Sequence, residues 1–235
     1  MRGTAAALRE LAEGVGGGRI LEVGCGTGHW LATLGPASSQ LYGLDLSTGM
    51  LAQAGGQQAG LELVRGRAGQ LPFSEGCFDL VYCVNAIHHF QQQRTFVFEA
   101  RRLLRRGGVL AVVGTDPRAH RDRWYVYDYF DGTYETDLAR FPSWGQVLDW
   151  KVGAGFEGVE WRWVERILDP KRGRAVFDDP FLRKDSCSQL ALLTDEAYAA
   201  GLDRIEAALS SAEATGETIL FATDLLLAMI VGRVP

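Results

Sequence analysis

The stretch Glu22-Val23-Gly24-Cys25-Gly26-Thr27-Gly28 spans the end of a short apolar run, GRILEV at residues 18–23, and the glycine-rich loop that follows it. Glycine at every second position lets a chain turn sharply and bring backbone N–H groups against a ligand. Asp45 stands 21 residues after Gly24, at the end of a second apolar run. A carboxylate at that place can accept both hydroxyls of an adenosine ribose. The loop, the helical pattern after it and the spaced acid together predict a nucleoside-binding site.

Continuous apolar runs recur through the first half of the chain, with amphipathic segments between them. Such runs are typical of a parallel sheet covered on both faces, so the sequence predicts an α/β fold. After Gly114 the pattern changes to polar and aromatic residues. The further predicted strands of the first half are 40–45, 61–65, 78–84 and 109–114, with a helix over 92–105 that Gly107-Gly108 ends. The later predictions are helices at 143–153 and 194–210, a strand at 158–168 and a last strand within 217–232.

Composition and charge exclude several classes of protein. With 235 residues, of which 47% are apolar and 23% charged, the chain suits one elaborated globular domain over residues 1–235. A net charge of −5 argues against a nucleic-acid surface, because phosphate binding needs a basic field. The most apolar stretch, 218–232, contains Asp224 and is shorter than the roughly 20 residues that cross a bilayer. Four cysteines without a CxxC pair or metal-ligand spacing favour reduced thiols in a cytoplasmic protein without a metal site.

The glycine loop also resembles that of a known family. A nicotinamide-binding loop of the GxGxxG type would need glycine at position 29, where this chain has His29. The loop instead resembles the ExGxGxG loop of class I S-adenosylmethionine-dependent methyltransferases, in their type 11, UbiE-like small-molecule group. Four later stretches are similar to further motifs of this family, in the same order: LYGLDLSTGML (41–51), GRAGQLPF (66–73), FDLVYCVNAIHHF (78–90) and LLRRGGVLAVV (103–113).

The resemblance implies a fold and a division of the chain. The fold is a Rossmann-like, doubly wound sheet of seven mostly parallel strands in the order 3-2-1-4-5-7-6, with the last strand antiparallel. Residues 1–115 would form the cofactor-binding half. The segments 116–145 and 169–210 carry none of the family's motifs, and we expect them to be lid insertions over the substrate, because open α/β folds bind ligands at the carboxyl edge of the sheet.

The resemblance further implies methyl transfer from S-adenosylmethionine to a small-molecule oxygen, nitrogen or carbon nucleophile, with S-adenosylhomocysteine as product. Glu22 would hold the methionine amino group, directly or through the loop. Gly24 and Gly26 would pass close to the carboxypropyl chain, and Asp45 would bind the ribose. The other positions carried over to the cofactor are Cys25, Gly28, Leu46, Met50, Arg67, Ala68 and Asn85.

One of these positions departs from the family's pattern. Relatives carry an adenine-binding Asp where this chain has Arg67. An arginine cannot accept the adenine N6 hydrogens, although its plane can stack on the ring. The adenine edge would then depend on the backbone of Ala68, with Leu46 and Met50 beside the ring.

Two groups of residues are candidates for contact with the acceptor. His88 and His89 follow the fourth strand and could take a proton from it, since histidine titrates near neutrality; the alternative is that the pair only closes a turn of the scaffold. Trp124, Tyr125 and Tyr129 could form a substrate wall or a cage for an amine, or could simply pack a lid helix. The sequence leaves both pairs of alternatives open.

The sequence also leaves two other functions open, and it gives one expectation about packing and one about the N-terminal segment. The chain could bind the cofactor without transferring a methyl group, as a regulator or a cyclase-like relative. It could also be a nicotinamide-dependent oxidoreductase, which His29 at the third glycine position disfavours. Trp161 and Trp163 share one face of a strand, which we expect to be core. About 18 residues precede the first strand, fewer than most relatives use for a helix that closes over the cofactor.

Overall fold

The computed structural model describes residues 1–35, 39–57, 60–119 and 122–235. These residues form two compact units. Unit 1 comprises Met1–Asp116, Pro142–Glu165 and Leu227–Pro235, and unit 2 comprises Pro117–Phe141 and Arg166–Leu226.

The secondary structure alternates strands and helices through the first half of the chain. The strands are β1 (Gly18–Val23), β2 (Ser39–Asp45), β3 (Glu62–Arg65), β4 (Phe78–Val84), β5 (Leu104–Gly114), β6 (Arg123–Trp124), β7 (Glu157–Leu168), β8 (Lys171–Arg172), β9 (Leu220–Phe221) and β10 (Thr223–Arg233). The helices are α1 (Arg2–Gly14), α2 (His29–Leu34), α3 (Thr48–Gln57), α4 (Gln93–Leu103), α5 (Tyr125–Tyr129), α6 (Thr133–Arg140), α7 (Trp144–Gly153), α8 (Ser188–Ala191) and α9 (Asp195–Thr215).

The main sheet confirms the predicted fold. Its strand order is β3-β2-β1-β4-β5-β10-β6, and β7 also pairs with β10. The first five strands are parallel, whereas β10 runs antiparallel to β5 from Ala228 opposite Gly114 to Arg233 opposite Val109. Strands β10 and β7 thus occupy places 7 and 6 of the predicted order 3-2-1-4-5-7-6. The short β6, which the sequence did not predict, pairs with the first two residues of β10.

Burial explains why the central strands read as continuous apolar runs. All seven residues of β4 are buried, and so are the last four of β1. A parallel strand with helices on both faces has no solvent side, so its sequence shows no alternation. The core of unit 1 joins residues of β1, β4 and β5 to the inner face of α4, where Phe96, Ala100 and Leu103 are fully buried.

Several local expectations are wrong, each for a tertiary reason. Helix α4 ends at Leu103, not at the glycine pair 107–108, because those glycines lie in β5 and exchange backbone hydrogen bonds with Val234. The apolar spacing of 92–105 also predicts Phe98 on the inner face of this helix, beside Phe96 and Leu103, whereas Phe98 is 38% exposed.

The tryptophans of β7 are also exposed, at 45% for Trp161 and 42% for Trp163. They do not enter the core but pack on each other and on Trp144 of α7, with ring centroids 4.9–5.5 Å apart.

The residues before β1 form helix α1, whose start is held by a carboxylate from a distant strand. The N–H groups of Gly3 and Thr4 donate to Glu165 at 2.8 and 3.1 Å. The first N–H groups of a helix have no partner within it, and its N-terminus favours negative charge, so Glu165 serves as a cap. Helix α7 is capped locally instead, by a reciprocal pair of hydrogen bonds between Ser143 and Gln146.

Unit 2 has a core of its own, rich in aromatic residues. Tyr125 is fully buried and donates a hydrogen bond from its hydroxyl to Asp179 at 3.0 Å. Phe130 packs so closely on α9 that a Cβ on Gly201 would lie 2.1 Å from its ring. The fully buried Ile205 of α9 belongs to the same cluster.

Unit 1 buries one lysine completely. Lys151 of α7 is 0% exposed, and its Nζ donates to the carbonyl of Leu110 at 2.8 Å. Because burial removes the ammonium ion from water, the pKa of Lys151 falls to about 7. The fold therefore favours the neutral amine.

We predict that Lys151→Met removes a pH dependence of stability. The unfolded chain keeps this proton up to a pH of about 10.4, and the folded chain releases it at about pH 7. The free energy of unfolding of the parent protein should therefore rise with pH across this window. The variant should be more stable than the parent at neutral pH, and the gap should close towards high pH.

Urea unfolding at a series of pH values measures this difference. Lys171→Met is the matched control, because it removes an amine paired with Asp169 and not a buried one; it should keep the slope of the parent. Parallel curves for Lys151→Met and the parent would contradict the assignment.

Candidate active site

A cavity of about 720 Å³ opens in unit 1 at the carboxyl ends of β1, β2 and β4. This volume lies within the range of small-molecule and cofactor sites. Its lining comes from the glycine loop, the ends of these strands and the segments that follow β3 and β4: Val23, Gly24, Gly26, Leu44, Asp45, Leu46, Ser47, Met50, Gly66, Arg67, Ala68, Gly69, Gln70, Asn85, Ala86, His89, Phe90, Gln91 and Gln92.

The glycine loop is fixed by the end of the neighbouring strand. The N–H groups of Gly24 and Cys25 both donate to the carbonyl of Leu44, at 2.7 and 3.1 Å. Gly24 has φ +74°, and a Cβ there would lie 2.6 Å from the Cβ of Ala86. Gly26 has φ +52° with no atom within 4 Å of a built Cβ, so the space beside it is open. The loop therefore brings bare backbone to the cavity wall.

Asp45 holds this loop and still has acceptors to spare. Its Oδ2 accepts from the N–H of Gly26 and its Oδ1 from the N–H of Ser47, each at 2.8 Å. A carboxylate oxygen has two lone pairs, so each oxygen can accept one further hydrogen bond. Asp45 can thus bind two neighbouring hydroxyls while it keeps the loop in position.

Three predicted cofactor residues, Glu22, Cys25 and Gly28, do not line the cavity. Glu22 is 1% exposed and accepts from the hydroxyl of Tyr82 at 3.3 Å and from the backbone of Leu31. Burial raises the pKa of Glu22 well above its usual range. Cys25 is buried, and burial followed by the nearby Glu22 raises the pKa of its thiol to about 12, so it is no nucleophile. Gly28 begins α2, where it turns the chain at φ +78°.

The cavity lining includes polar and large apolar side chains. Arg67 donates from Nη1 to the side-chain oxygen of Gln91 at 3.2 Å, and both residues line the cavity. Leu46 and Met50 are 52% and 44% exposed. Large apolar side chains exposed at a concave site are suited to cover a flat, partly apolar ligand group. Ala68, 9% exposed, also lines the cavity.

Asn85 has φ +48°, the one positive value for a residue other than glycine in the described ranges. This conformation costs an L-residue about 1–2 kcal/mol, and Asn tolerates it best. Its N–H donates to the carbonyl of Val113 at 2.9 Å, which holds the backbone in place just after β4. Strain of this kind is concentrated at functional sites, and Asn85 lines the cavity.

The two histidines differ in their position relative to the cavity. They end a short 3-10 helix, Ile87–His89, with ring centroids 4.1 Å apart. His89 is exposed and lines the cavity, whereas His88 is half-buried and does not contribute to the lining.

Sequence reasoning missed several lining residues. Gln70, Gln91 and Gln92 carry amide groups into the cavity wall, and a Cβ built on Gly69 would lie 2.7 Å from the side-chain oxygen of Gln92. Gln70 lies within the third motif, and Gln91 and Gln92 directly follow the fourth, in positions that no spacing rule singles out. Only their place in or beside those motifs could have indicated them.

The three residues predicted to contact the acceptor lie in unit 2. Tyr125 is in its core, as described, and the ring of Tyr129 packs 5.2 Å from that of Phe221. Trp124, 8% exposed, lines a separate cavity of about 700 Å³ that belongs to unit 2.

In the described ranges, His, Cys, Asp and Glu do not gather into a group of three that could hold a metal ion. Across the same ranges, every helix is too short or too polar to cross a membrane.

Comparison with known proteins finds a family match in the first half of the chain. Residues 21–112 match the family model described as a methyltransferase domain. A Bacillus subtilis protein named as the uncharacterized methyltransferase YcgJ is 35% identical over 100 residues, 40% of this chain and 40% of that protein. The phthiotriol/phenolphthiotriol dimycocerosates methyltransferase of Mycobacterium leprae is 40% identical over 116 residues, 47% of this chain and 42% of that protein. The chain matches less than half the length of either relative.

Solved structures extend the likeness in fold over nearly the whole chain. A protein of Anabaena variabilis, named as a methyltransferase from an antibiotic biosynthesis pathway, has a TM-score of 0.76 at 23% identity. The alignment covers 98% of this chain and 96% of that one. The 4+2 cyclase SpnF has a TM-score of 0.57 at 24% identity, over 98% of this chain and 84% of its own. At these identities the likeness is one of fold. Residues 21–112 of this chain thus resemble a methyltransferase domain in sequence, and the likeness in fold to solved structures extends over nearly the whole chain.

Proposed function

We propose that this protein transfers a methyl group from S-adenosylmethionine to an oxygen, nitrogen or carbon nucleophile of a small molecule. The observation that carries the proposal is the cavity of unit 1, in which bare loop backbone at Gly24 and Gly26 stands beside a carboxylate, Asp45, that can still accept hydrogen bonds. The family match over residues 21–112 supports the same cofactor.

The residues present fit this cofactor at each of its parts. The spare lone pairs of Asp45 suit the two ribose hydroxyls, and the open space at Gly26 suits the carboxypropyl chain. The exposed Leu46 and Met50 would cover the adenine, with the Arg67 plane available for stacking. Asn85 would line the methionine portion. Glu22, Cys25 and Gly28 would act by shaping the loop, because they do not line the cavity.

When bound, the cofactor supplies an electrophilic methyl group on a sulfonium sulfur. The contribution of the chain is to hold that group and the acceptor in line and to exclude water, and positioning of this kind can supply most of the lowering of the barrier. A proton must leave an O–H or N–H acceptor during transfer. His89 is the better candidate to take it, because it lines the cavity and His88 does not.

We propose that Trp124 contacts the acceptor directly and that Tyr125 and Tyr129 support it. Trp124 borders a cavity, whereas Tyr125 is fully buried behind it in the core of unit 2 and Tyr129 packs on Phe221. In this proposal the acceptor-binding side chains belong to unit 2, which contains much of the segments 116–145 and 169–210.

A second candidate function is cofactor binding without methyl transfer, in the manner of a cyclase. The likeness in fold to a 4+2 cyclase favours keeping it. Calorimetric titration with S-adenosylhomocysteine and with NAD, followed by single-turnover transfer of labelled methyl to a pool of metabolites, separates the hypotheses. Binding of S-adenosylhomocysteine with transfer supports the proposal. The same binding with no labelled product supports the second candidate, and binding of NAD alone would overturn both.

We predict that Asp45→Ala weakens the binding of S-adenosylhomocysteine at least tenfold. Hydrogen bonds to a charged group contribute about 1.5–3 kcal/mol each, and the substitution also releases the N–H groups of Gly26 and Ser47. Asp45→Asn should lose less affinity for S-adenosylhomocysteine than Asp45→Ala, since its amide keeps one acceptor oxygen. Calorimetry gives the dissociation constants. Asp149→Ala, at an exposed acid of unit 1, is the control and should bind as the parent does. Equal affinity for all variants would exclude the ribose contact.

We predict that Gly26→Val abolishes cofactor binding in a folded protein. A β-branched side chain would fill the open space beside the loop and would be strained at φ +52°. Gly76→Val separates these two effects, because Gly76 has φ +63°, equally open surroundings and no part in the cavity lining. That control should lose similar stability and keep its affinity for S-adenosylhomocysteine. Retained affinity in folded Gly26→Val would show that the loop does not approach the ligand.

We predict that His89→Ala lowers methyl transfer at least tenfold more than His88→Ala does, with little change in cofactor affinity. General acid–base groups contribute about 10²- to 10⁴-fold when they act in the rate-limiting step. The measurement is the initial rate with the acceptor found in the labelled pool, together with its pH profile. Equal rates in both variants would assign the pair to the scaffold.

A further inference from the structure

The cavity of unit 2 lies among elements of that unit alone. It has a volume of about 700 Å³, within the usual range of small-molecule sites, and its wall comes from β6, α5, α6 and the residues around them. The proposed methyl transfer assigns a role only to Trp124, one residue of this wall. The other residues of this wall have no part in the proposed methyl transfer.

One side of the cavity is a continuous aromatic wall. The rings of Trp124 and Tyr127 meet edge to face with centroids 5.5 Å apart, and those of Tyr127 and Tyr134 do so at 5.2 Å. Both phenol hydroxyls are already engaged, Tyr127 with Asp137 at 2.8 Å and Tyr134 with the carbonyl of Pro117 at 3.3 Å. The rings are thereby fixed, and what they offer a ligand is π-electron surface.

The core of unit 2 holds this wall in place. Asp137 is 0% exposed, and besides Tyr127 it accepts from Arg140 at 2.7 Å and from the amide of Gln189 at 2.7 Å. A buried carboxylate that accepts these three hydrogen bonds gives Tyr127 one defined orientation. The aromatic wall is therefore a preformed surface.

The rest of the lining is strongly acidic. Four carboxylates, those of Asp122, Asp128, Asp131 and Glu135, face the cavity with one guanidinium, that of Arg123. Asp122 accepts from the N–H of Leu226, and Asp131 pairs with Arg204 at 3.1 Å. Asp128 and Glu135 are exposed and form no salt bridge within the described ranges, so their charge acts on whatever enters.

We propose that the cavity of unit 2 is a binding site for a small organic cation with an amine or alkylated ammonium group. Aromatic ring faces attract cations electrostatically, and the surrounding carboxylates add to the attraction and oppose anions. A neutral apolar ligand would fit the rings alone and gain nothing from the acids. This inference does not depend on methyl transfer, because it concerns binding within unit 2.

The first experiment compares choline with 3,3-dimethylbutan-1-ol, which has the same shape but carbon in place of the charged nitrogen. Ligand-observed NMR on the whole protein, without S-adenosylmethionine, gives the two dissociation constants. We expect choline to bind at least tenfold more tightly than the neutral alcohol, in line with the strength of a cation–π contact aided by nearby carboxylates. Equal binding of the two probes, or binding of neither, would overturn the proposal.

The second experiment places the site. The double variant Asp128→Asn with Glu135→Gln should weaken choline binding about tenfold and leave the neutral alcohol unaffected. Both positions are exposed, so the fold should tolerate the change. The matched control, Asp203→Asn with Glu217→Gln, removes the same charge from exposed positions of unit 2 outside the cavity lining and should bind choline as the parent does.

Tyr134→Leu tests the aromatic wall separately, because it keeps bulk and removes the π surface. It should lower the affinity for choline and leave that for the neutral alcohol nearly unchanged. Choline affinity unchanged in both the acid and the tyrosine variants would place the binding elsewhere and overturn the assignment. All of these titrations omit S-adenosylmethionine, so their results do not depend on whether the protein has the proposed transferase activity.

Discussion

The alignment of two strand ends is the constraint on which the site of unit 1 depends. Strands β1 and β2 pair in parallel with Val23 opposite Leu44, so the glycine loop leaves β1 level with the end of β2. The carbonyl of Leu44 then accepts the N–H groups of Gly24 and Cys25, and the carboxylate of Asp45 accepts those of Gly26 and Ser47. A slip of one residue between these strands would reverse the faces of their side chains and separate the loop from its acceptors. The burial of β1 on both faces makes such a slip costly.

The parts that could be predicted from the sequence are those in which one local requirement decides the residue type. Continuous apolar runs gave the parallel strands, because a strand covered on both faces needs apolar residues throughout. Gly24, Gly26 and Asp45 could be assigned to the cavity because their roles depend on backbone shape and on a carboxylate at a strand end. The orientation of Glu22, which does not line the cavity, follows from its packing on Tyr82 and could not be read from the motif.

The errors concern contacts between distant segments. Alternation along β7 correctly placed Trp161 and Trp163 on one face, but only the neighbours of that face decide whether it is buried. The end of α4 depended on Val234, more than a hundred residues away, which extends β5 backwards past the glycines. The two cavities likewise differ in how far they could be predicted from the sequence. That of unit 1 is built largely from backbone and can be recognised by motif, whereas that of unit 2 is built from side chains that the fold brings together.

The distribution of tryptophan gives the two units very different optical properties. Of the six tryptophans, all but Trp124 lie in unit 1. Three of these, Trp144, Trp161 and Trp163, are in mutual ring contact and partly exposed to water. Excitation will pass readily among rings so close together, and their coupled transitions will add to the circular dichroism of the backbone. Tryptophan fluorescence of the whole protein is thus weighted towards unit 1. A tryptophan signal specific to unit 2 requires a variant in which the other five tryptophans are replaced and Trp124 remains.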